Sequence, residues 1–173
     1  TSDAKHTLPF VDPVNGRHRI VVVSRHEVGA RSVEVYNVHN LTPVAGPAAR
    51  LAQVDAILDL VSENGAVIVA GDFNTGDPGV EAATIDRFVQ AGFQYDTPDA
   101  RLTGGGKVGG FTLDYIFSRN LELMDNGIVR ADVGDHDPIW ARFTPWGGSR
   151  RWGCACARRA RRRVVRCRRE RLI

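Results

Sequence analysis

The segment VIVAGDFNTGD, residues 67–77, sets a carboxylate, Asp72, and a carboxamide, Asn74, two positions apart behind an apolar run. On an extended chain, positions i and i+2 project the same way, so both side chains can reach one ligand. An anionic oxygen beside a neutral carbonyl oxygen suits a hard cation such as Mg²⁺, and the amide could instead donate to a phosphate oxygen. The same pair also suits an Asx turn after a strand. GDHDPIWARF adds Asp135 and His136. Adjacent side chains point apart, which gives Asp135 to metal or water and His136 to proton transfer or phosphate contact. NVHN ends a strand-like segment with His39, and TLDYIF places Asp114 in an apolar strand. An unpaired carboxylate there would be costly, so Asp114 needs a partner, and a histidine is the natural one. Each of these residues has a plainer reading as a turn, a surface imidazole or a salt bridge.

The elements that must position them alternate. GRHRIVVVSRHEV and RSVEVYNVHN read as strands joined at GAR. GPAARLAQVDAILDLVSENG has apolar residues at Leu51, Val54, Ile57, Leu58 and Val61, a helical spacing that Gly65 is placed to stop. AVIVAGDFN reads as a buried strand. VEAATIDRFVQAGF reads as a second helix with Ile85, Phe88 and Val89 inward, and RLTGGGKVGG as a flexible loop. FTLDYIFSR, LELMDNGIVRA and DPIWARF are further strands. Such alternation predicts α/β layers around a sheet.

The net charge of +3 averages two unlike regions. Residues 1–145 carry 12 Lys and Arg against 19 Asp and Glu, a net −7, while residues 146–173 carry 11 Arg against one Glu, a net +10. The boundary divides a folded domain, 1–145, from an Arg-rich tail, 146–173, which has no apolar periodicity and is read as disordered. A GC-rich coding sequence read out of frame would look the same, and a basic arm for nucleic acid is the functional alternative. Cys154, Cys156 and Cys167 all lie in the tail, without the second paired cluster or nearby histidine that a zinc site needs. No apolar run approaches the roughly 20 residues of a membrane helix.

Taken in order, NVHN, Arg50 and Gln53 in the helix, GDFN, LDYIF and GDHDPI resemble the endonuclease/exonuclease/phosphatase superfamily over about residues 18–144. That group includes pancreatic-type deoxyribonuclease, abasic-site nucleases, neutral sphingomyelinases and inositol-polyphosphate phosphatases. The resemblance implies a four-layer α/β sandwich, two mixed sheets face to face with outer helices, and a site where loops meet at one end. It implies metal-assisted attack of water on phosphorus, with Mg (or Mn) as cofactor and a phosphoester, nucleic acid included, as partner. Asp72 would orient or deprotonate the water, and Asn74 would bind phosphate or the metal shell. Asp135 would sit near the metal, making Asp72, Asn74 and Asp135 the metal set. His136, oriented by Asp114, and His39 would contact phosphate and move protons. Gly134 stands where the family usually has Ser. The resemblance also implies an earlier strand bearing Asn and another bearing a metal-binding Glu, yet only about twenty residues precede RHRIVVV. Glu27 and Glu34 are poor substitutes. The chain therefore reads as N-terminally truncated, its sandwich incomplete and its first sheet short of inner strands. Weak metal affinity and little activity are expected of it.

Overall fold

A computed structural model of the chain describes residues 2–98, 112–130 and 134–145. The elements run β1 (Ser2–Val11), β2 (His18–Val28), β3 (Arg31–His39), a 3₁₀ turn (Pro43–Ala45), α1 (Pro47–Leu60), β4 (Ala66–Asp72), α2 (Pro78–Gln90), β5 (Gln94–Tyr95), β6 (Asp114–Arg119), β7 (Leu121–Ile128) and β8 (Ile139–Pro145). The glycine-rich loop at 101–110 and the tail at 146–173, with all three cysteines, lie outside the described residues.

Six strands form one mixed sheet in the order β1-β2-β3-β4-β6-β5, and β7 pairs with β8 in a second. Outer helices on a sheet, with a second sheet beside it, make the incomplete α/β sandwich implied by the sequence. The shortfall differs in place. Among the described residues, the motif strands sit in the six-stranded sheet, and the two-stranded β7–β8 sheet is the short one.

β1 is a strand that the sequence analysis leaves unassigned. It runs antiparallel to β2 at the sheet edge, with a register break between Thr7 and Val11. Pro9 weakens its strand signature, yet an edge tolerates a residue without an N–H.

β3 and β4 run parallel, and α1 is the crossover between them. Parallel neighbours need such a connection, and it brings both C-terminal strand ends to one rim. α1 ends at Leu60. Val61 is already extended, so Gly65 does not stop the helix and Val61 lies outside it. Arg50, Gln53, Val54 and Ile57 make its buried face. α2 starts where the Asp77 carboxylate accepts the Val80 N–H at 2.9 Å and Pro78 fills the first turn. Its buried residues are Val80, Thr84 and Phe88, while Val89 is 51% exposed. Of the expected inward residues, Phe88 is buried and Ile85 packs against the core, while Val89 faces out because the 3.6-residue period puts Val80, Thr84 and Phe88 in line.

The core forms between these helices and the sheet: Val54 and Ile57 of α1 and Phe88 of α2 pack with Val21, Tyr36, Val38, Val67, Val69, Tyr115 and Phe117. Phe73 is at its centre, edge-on to Phe88, Tyr115 and Phe117 with ring centroids 5.6, 5.6 and 5.7 Å away. This anchors the GDFN turn through its phenylalanine. Truncation of such a ring to alanine costs about 3–5 kcal/mol.

Candidate active site

Strand register builds the site. His39 pairs with Asp72 across the β3–β4 ladder, and Asp72 pairs with Asp114 across β4–β6. The three therefore stand in a row on adjacent strands, about 5 Å apart per step. Gly71 makes the close approach of β3 and β4 possible. Its φ is 140°, and a methyl group there would overlap the Val38 carbonyl.

His136, just ahead of β8, closes the row: its Nδ1 lies 2.6 Å from Asp114 Oδ2. His39 Nε2 is 3.6 Å from Asp72 Oδ2, an ion-pair distance rather than a hydrogen bond. Burial lifts the Asp72 carboxyl above its ordinary range. The Asn74 N–H opposes that, the facing Asp114 charge adds to it, and His39 and His136 oppose it again. Like charges directly across a ladder repel. His136 is raised as well: burial works against its cation, but the hydrogen bond and charge of Asp114, then the charges of Asp72 and Asp135, outweigh it. A cavity of about 380 Å³ opens against the Asp114–His136 pair, between β3, β4 and β6 on one side and Pro138 and Ile139, where β8 begins, on the other.

Asn74 is placed differently from the extended-chain expectation. β4 ends at Asp72, and Asn74 has φ 49° in the left-handed region that Asn tolerates. Its N–H donates to Asp72 Oδ1 at 2.8 Å, so the Asx turn forms. Its side chain is turned inward, where Nδ2 donates to the Asn40 carbonyl at 3.1 Å. Asp135 is exposed beside His136. The structure thus brings together His39, Asp72, Asp114 and His136, and sets Asn74 behind them as a brace.

The helix motif at Arg50 and Gln53 braces the same turn. Arg50 is 3% exposed and donates through NH1 to the carbonyls of Asn74, at 2.6 Å, and Thr75, and through NH2 to Asp77 at 3.0 Å. Gln53 accepts the Leu41 N–H at 2.9 Å and donates to the Pro9 carbonyl at 2.7 Å, tying the loop after His39 to β1. Sequence reasoning noted both residues without assigning their work. It missed Asp12 and Arg19 altogether: Arg19 reaches His39 from β2 while gripping Asp12. The VDPVNGR turn around Asp12 was the available signal, since Asp before Pro favours a turn and its carboxylate is then held in place.

For Mg²⁺ the fit is poor. A hard cation wants several oxygen ligands. Asp114 is engaged by His136, and the Asn74 side chain is drawn inward by its Nδ2 donating to the Asn40 carbonyl. Among the described residues, no group of three His, Cys, Asp or Glu has the arrangement to hold a metal. These residues alone do not make a Mg²⁺ site.

The α/β sandwich with an Asp–His pair at its rim defines a class, and comparison with known proteins gives the family. The chain belongs to the Endonuclease/Exonuclease/phosphatase family, whose model matches residues 3–154. It is 33% identical over 112 residues to a UPF0294 protein of Vibrio cholerae, covering 63% of this chain and 39% of that protein. It is 30% identical over 145 residues to the UPF0294 protein of Yersinia pseudotuberculosis, covering 82% and 49%. The chain thus spans about half or less of the length of these relatives. Among solved structures, an endonuclease/exonuclease/phosphatase of Beutenbergia cavernae superposes with TM-score 0.67 at 17% identity, covering 85% of this chain and 45% of that one. TDP2 of D. rerio, complexed with a single-strand DNA product, gives 0.60 at 17%, covering 82% and 67%. At such identities the likeness is one of fold. No described helix is long and apolar enough to cross a membrane.

Proposed function

We propose that the site is that of a phosphoester hydrolase, a phosphodiesterase or nuclease-like enzyme in which water attacks phosphorus. The observation that carries this reading is the row His39–Asp72–Asp114 with His136 on Asp114 Oδ2. Asp72 has a raised pKa and a position at the open rim, so it can orient a water and take its proton. Asp114 fixes the His136 ring, which leaves Nε2 to donate a proton to phosphate or to the leaving oxygen. His39 meets a non-bridging oxygen from the opposite side, and Asn74 holds the turn that presents Asp72.

A divalent metal, Mg²⁺ or Mn²⁺, is part of the proposal for the activity, as a source of charge neutralisation at phosphorus. The family resemblance names Asp72, Asn74 and Asp135 as its contacts; with the Asn74 side chain turned inward, Asp72 and Asp135 are the two that face the rim. They offer few committed oxygens, so this chain is expected to bind it weakly and to turn over slowly. The single-strand DNA product bound to the D. rerio neighbour is the precedent for placing a nucleic-acid phosphoester among the substrates. The net −7 of residues 1–145 argues against broad electrostatic capture of nucleic acid, which rests on Lys and Arg. The Arg-rich tail would supply that capture if it acts as a nucleic-acid arm. A lipid headgroup or a phosphomonoester on the same scaffold remains the second substrate class.

The test compares bis(p-nitrophenyl) phosphate with p-nitrophenyl phosphate at rising Mg²⁺, for the native chain and for Asp72→Ala. Diester turnover that needs Asp72 and disappears with chelator supports the reading. Turnover indifferent to Asp72→Ala sinks it.

A further inference from the structure

Arg19 stands at the His39 edge of the same rim, held by a residue outside the motif set. Asp12 is fully buried, and both of its oxygens are filled. Oδ1 accepts the Val14 N–H at 2.8 Å and the Thr42 hydroxyl at 3.4 Å. Oδ2 accepts Nε and NH2 of Arg19 at 2.8 and 2.5 Å. Burial alone would raise the Asp12 carboxyl, yet these donors and the Arg19 charge bring it below its ordinary value. A buried carboxylate this well supplied is a fixed anchor. Two of the three guanidinium nitrogens are locked by it.

The third nitrogen, NH1, lies 3.2 Å from His39 Nε2 and 3.4 Å from His39 Nδ1. A neutral imidazole has one acceptor nitrogen, and NH1 carries two N–H bonds. At most one can be taken by the ring, so at least one donor remains at the rim beside His39 and Asp72. Arginine suits such a position because its planar fork can hold a carboxylate with one edge and an oxyanion with the other. Because Asp12 neutralises the guanidinium, what Arg19 offers an anion is a directed N–H donor rather than a net positive field.

We propose that Arg19 is a substrate-contacting residue whose NH1 donates to a non-bridging phosphoryl oxygen next to His39, with Asp12 as the positioning residue that aims it. The inference rests on the phosphoester reading of the site and names the group that binds the anion.

The test measures the binding of inorganic phosphate to the full 173-residue chain by calorimetry, together with KM and kcat for bis(p-nitrophenyl) phosphate. Arg19→Met is expected to weaken phosphate binding about tenfold or more and to raise KM, since charge-assisted hydrogen bonds are the strong ones. Arg19→Lys should recover part of the loss, and Asp12→Asn should fall between. Arg17→Met, on the same hairpin, should leave both unchanged. Because Arg19→Met strands the Asp12 charge, the double variant Asp12→Asn/Arg19→Met keeps the test valid if the single one unfolds. Native phosphate affinity in that folded double variant overturns the proposal, as does a native chain that binds no phosphate at tens of millimolar. If phosphate binding depends on Arg19 while no ester is hydrolysed, the hydrolase reading fails and Arg19 stands. If Asp72→Asn abolishes turnover while the Arg19 variants keep native affinity and KM, Arg19 fails alone.

Discussion

The central strands carry carboxylates at both ends of the sheet, and the two ends treat them oppositely. At the far end, Glu34 of β3 is paired with the Arg25 guanidinium, and its Oε2 accepts the Tyr36 hydroxyl at 3.1 Å and the Ser62 hydroxyl at 2.8 Å. The Arg25 hydrogen bond leads in holding its carboxyl below the ordinary value, against burial and with help from Ser62 and Tyr36. At the near end, Asp72 receives the Asn74 N–H, faces the Asp114 carboxylate and is raised. Both groups are shielded from water. The supply of donors separates them: a carboxylate ringed by donors holds the fold, and one left short of them beside a like charge is poised to take a proton or bind a cation.

The largest effect should come from removing the poised group. Asp72→Asn is expected to lower Mg²⁺-dependent diester hydrolysis by about 10²-fold or more, the range of a lost general base. Its melting temperature should stay level or rise, because an amide relieves the repulsion with Asp114. A loss of stability matching that of Glu34→Gln would collapse the contrast between the two ends. Next in size is Arg50→Met. This change leaves the Asn74 and Thr75 carbonyls and Asp77 without their cation, and should cost about 3 kcal/mol in urea unfolding. A cost near zero would mean that the GDFN turn holds itself.

Much of this contrast was legible in the residues. Strand-like segments ending at His39 and Asp72 put polar groups at one rim, and Asp114, read inside an apolar strand, demanded a partner simply because its neighbours are apolar; the structure makes it the first residue of β6. Three features were not legible, for physical reasons. The Asp72–Asn74 pair suited an extended pair and an Asx turn alike, and only the positive φ of Asn74, which turns its side chain inward, decides between them. β1 hides because Pro9 reads as a strand breaker until its edge position is known. Arg19 and Asp12 meet across a hairpin turn, seven residues apart, and a contact of that kind depends on a register that the sequence leaves open.

Glu34→Gln tests the satisfied end and should be milder. It weakens one ion pair to an Arg25 side chain that is 56% exposed, while the Tyr36 and Ser62 donors keep an acceptor, so the cost should be about 1 kcal/mol with hydrolysis untouched. The sign with pH is fixed by the lowered pKa. Glu34 stabilises the fold above its ordinary value of about 4.5, and that contribution is lost as pH falls through its lower folded value. The stability gap between native and Glu34→Gln should therefore close in acid. A gap independent of pH would show that Glu34 acts by shape alone.

The smallest effect belongs to His136, and it runs the other way. Its pKa is raised in the folded chain, so the imidazolium–Asp114 pair stabilises fully below its ordinary value of 6.5, and that stabilisation is lost as pH rises through the higher folded value. Native chain and His136→Asn should differ in melting temperature by about 2 °C at pH 5.5 and converge by pH 9. Removing His136 also withdraws a positive charge that opposes the rise of Asp72, so the gap reads the His136–Asp114–Asp72 cluster together. Glu34 loses its contribution in acid and His136 in base, so the two ends of the sheet should leave opposite slopes on one stability curve. A His136 gap that widens with pH would mean that the ring is held neutral, and that Asp114 orients it as an acceptor rather than charging it as an acid.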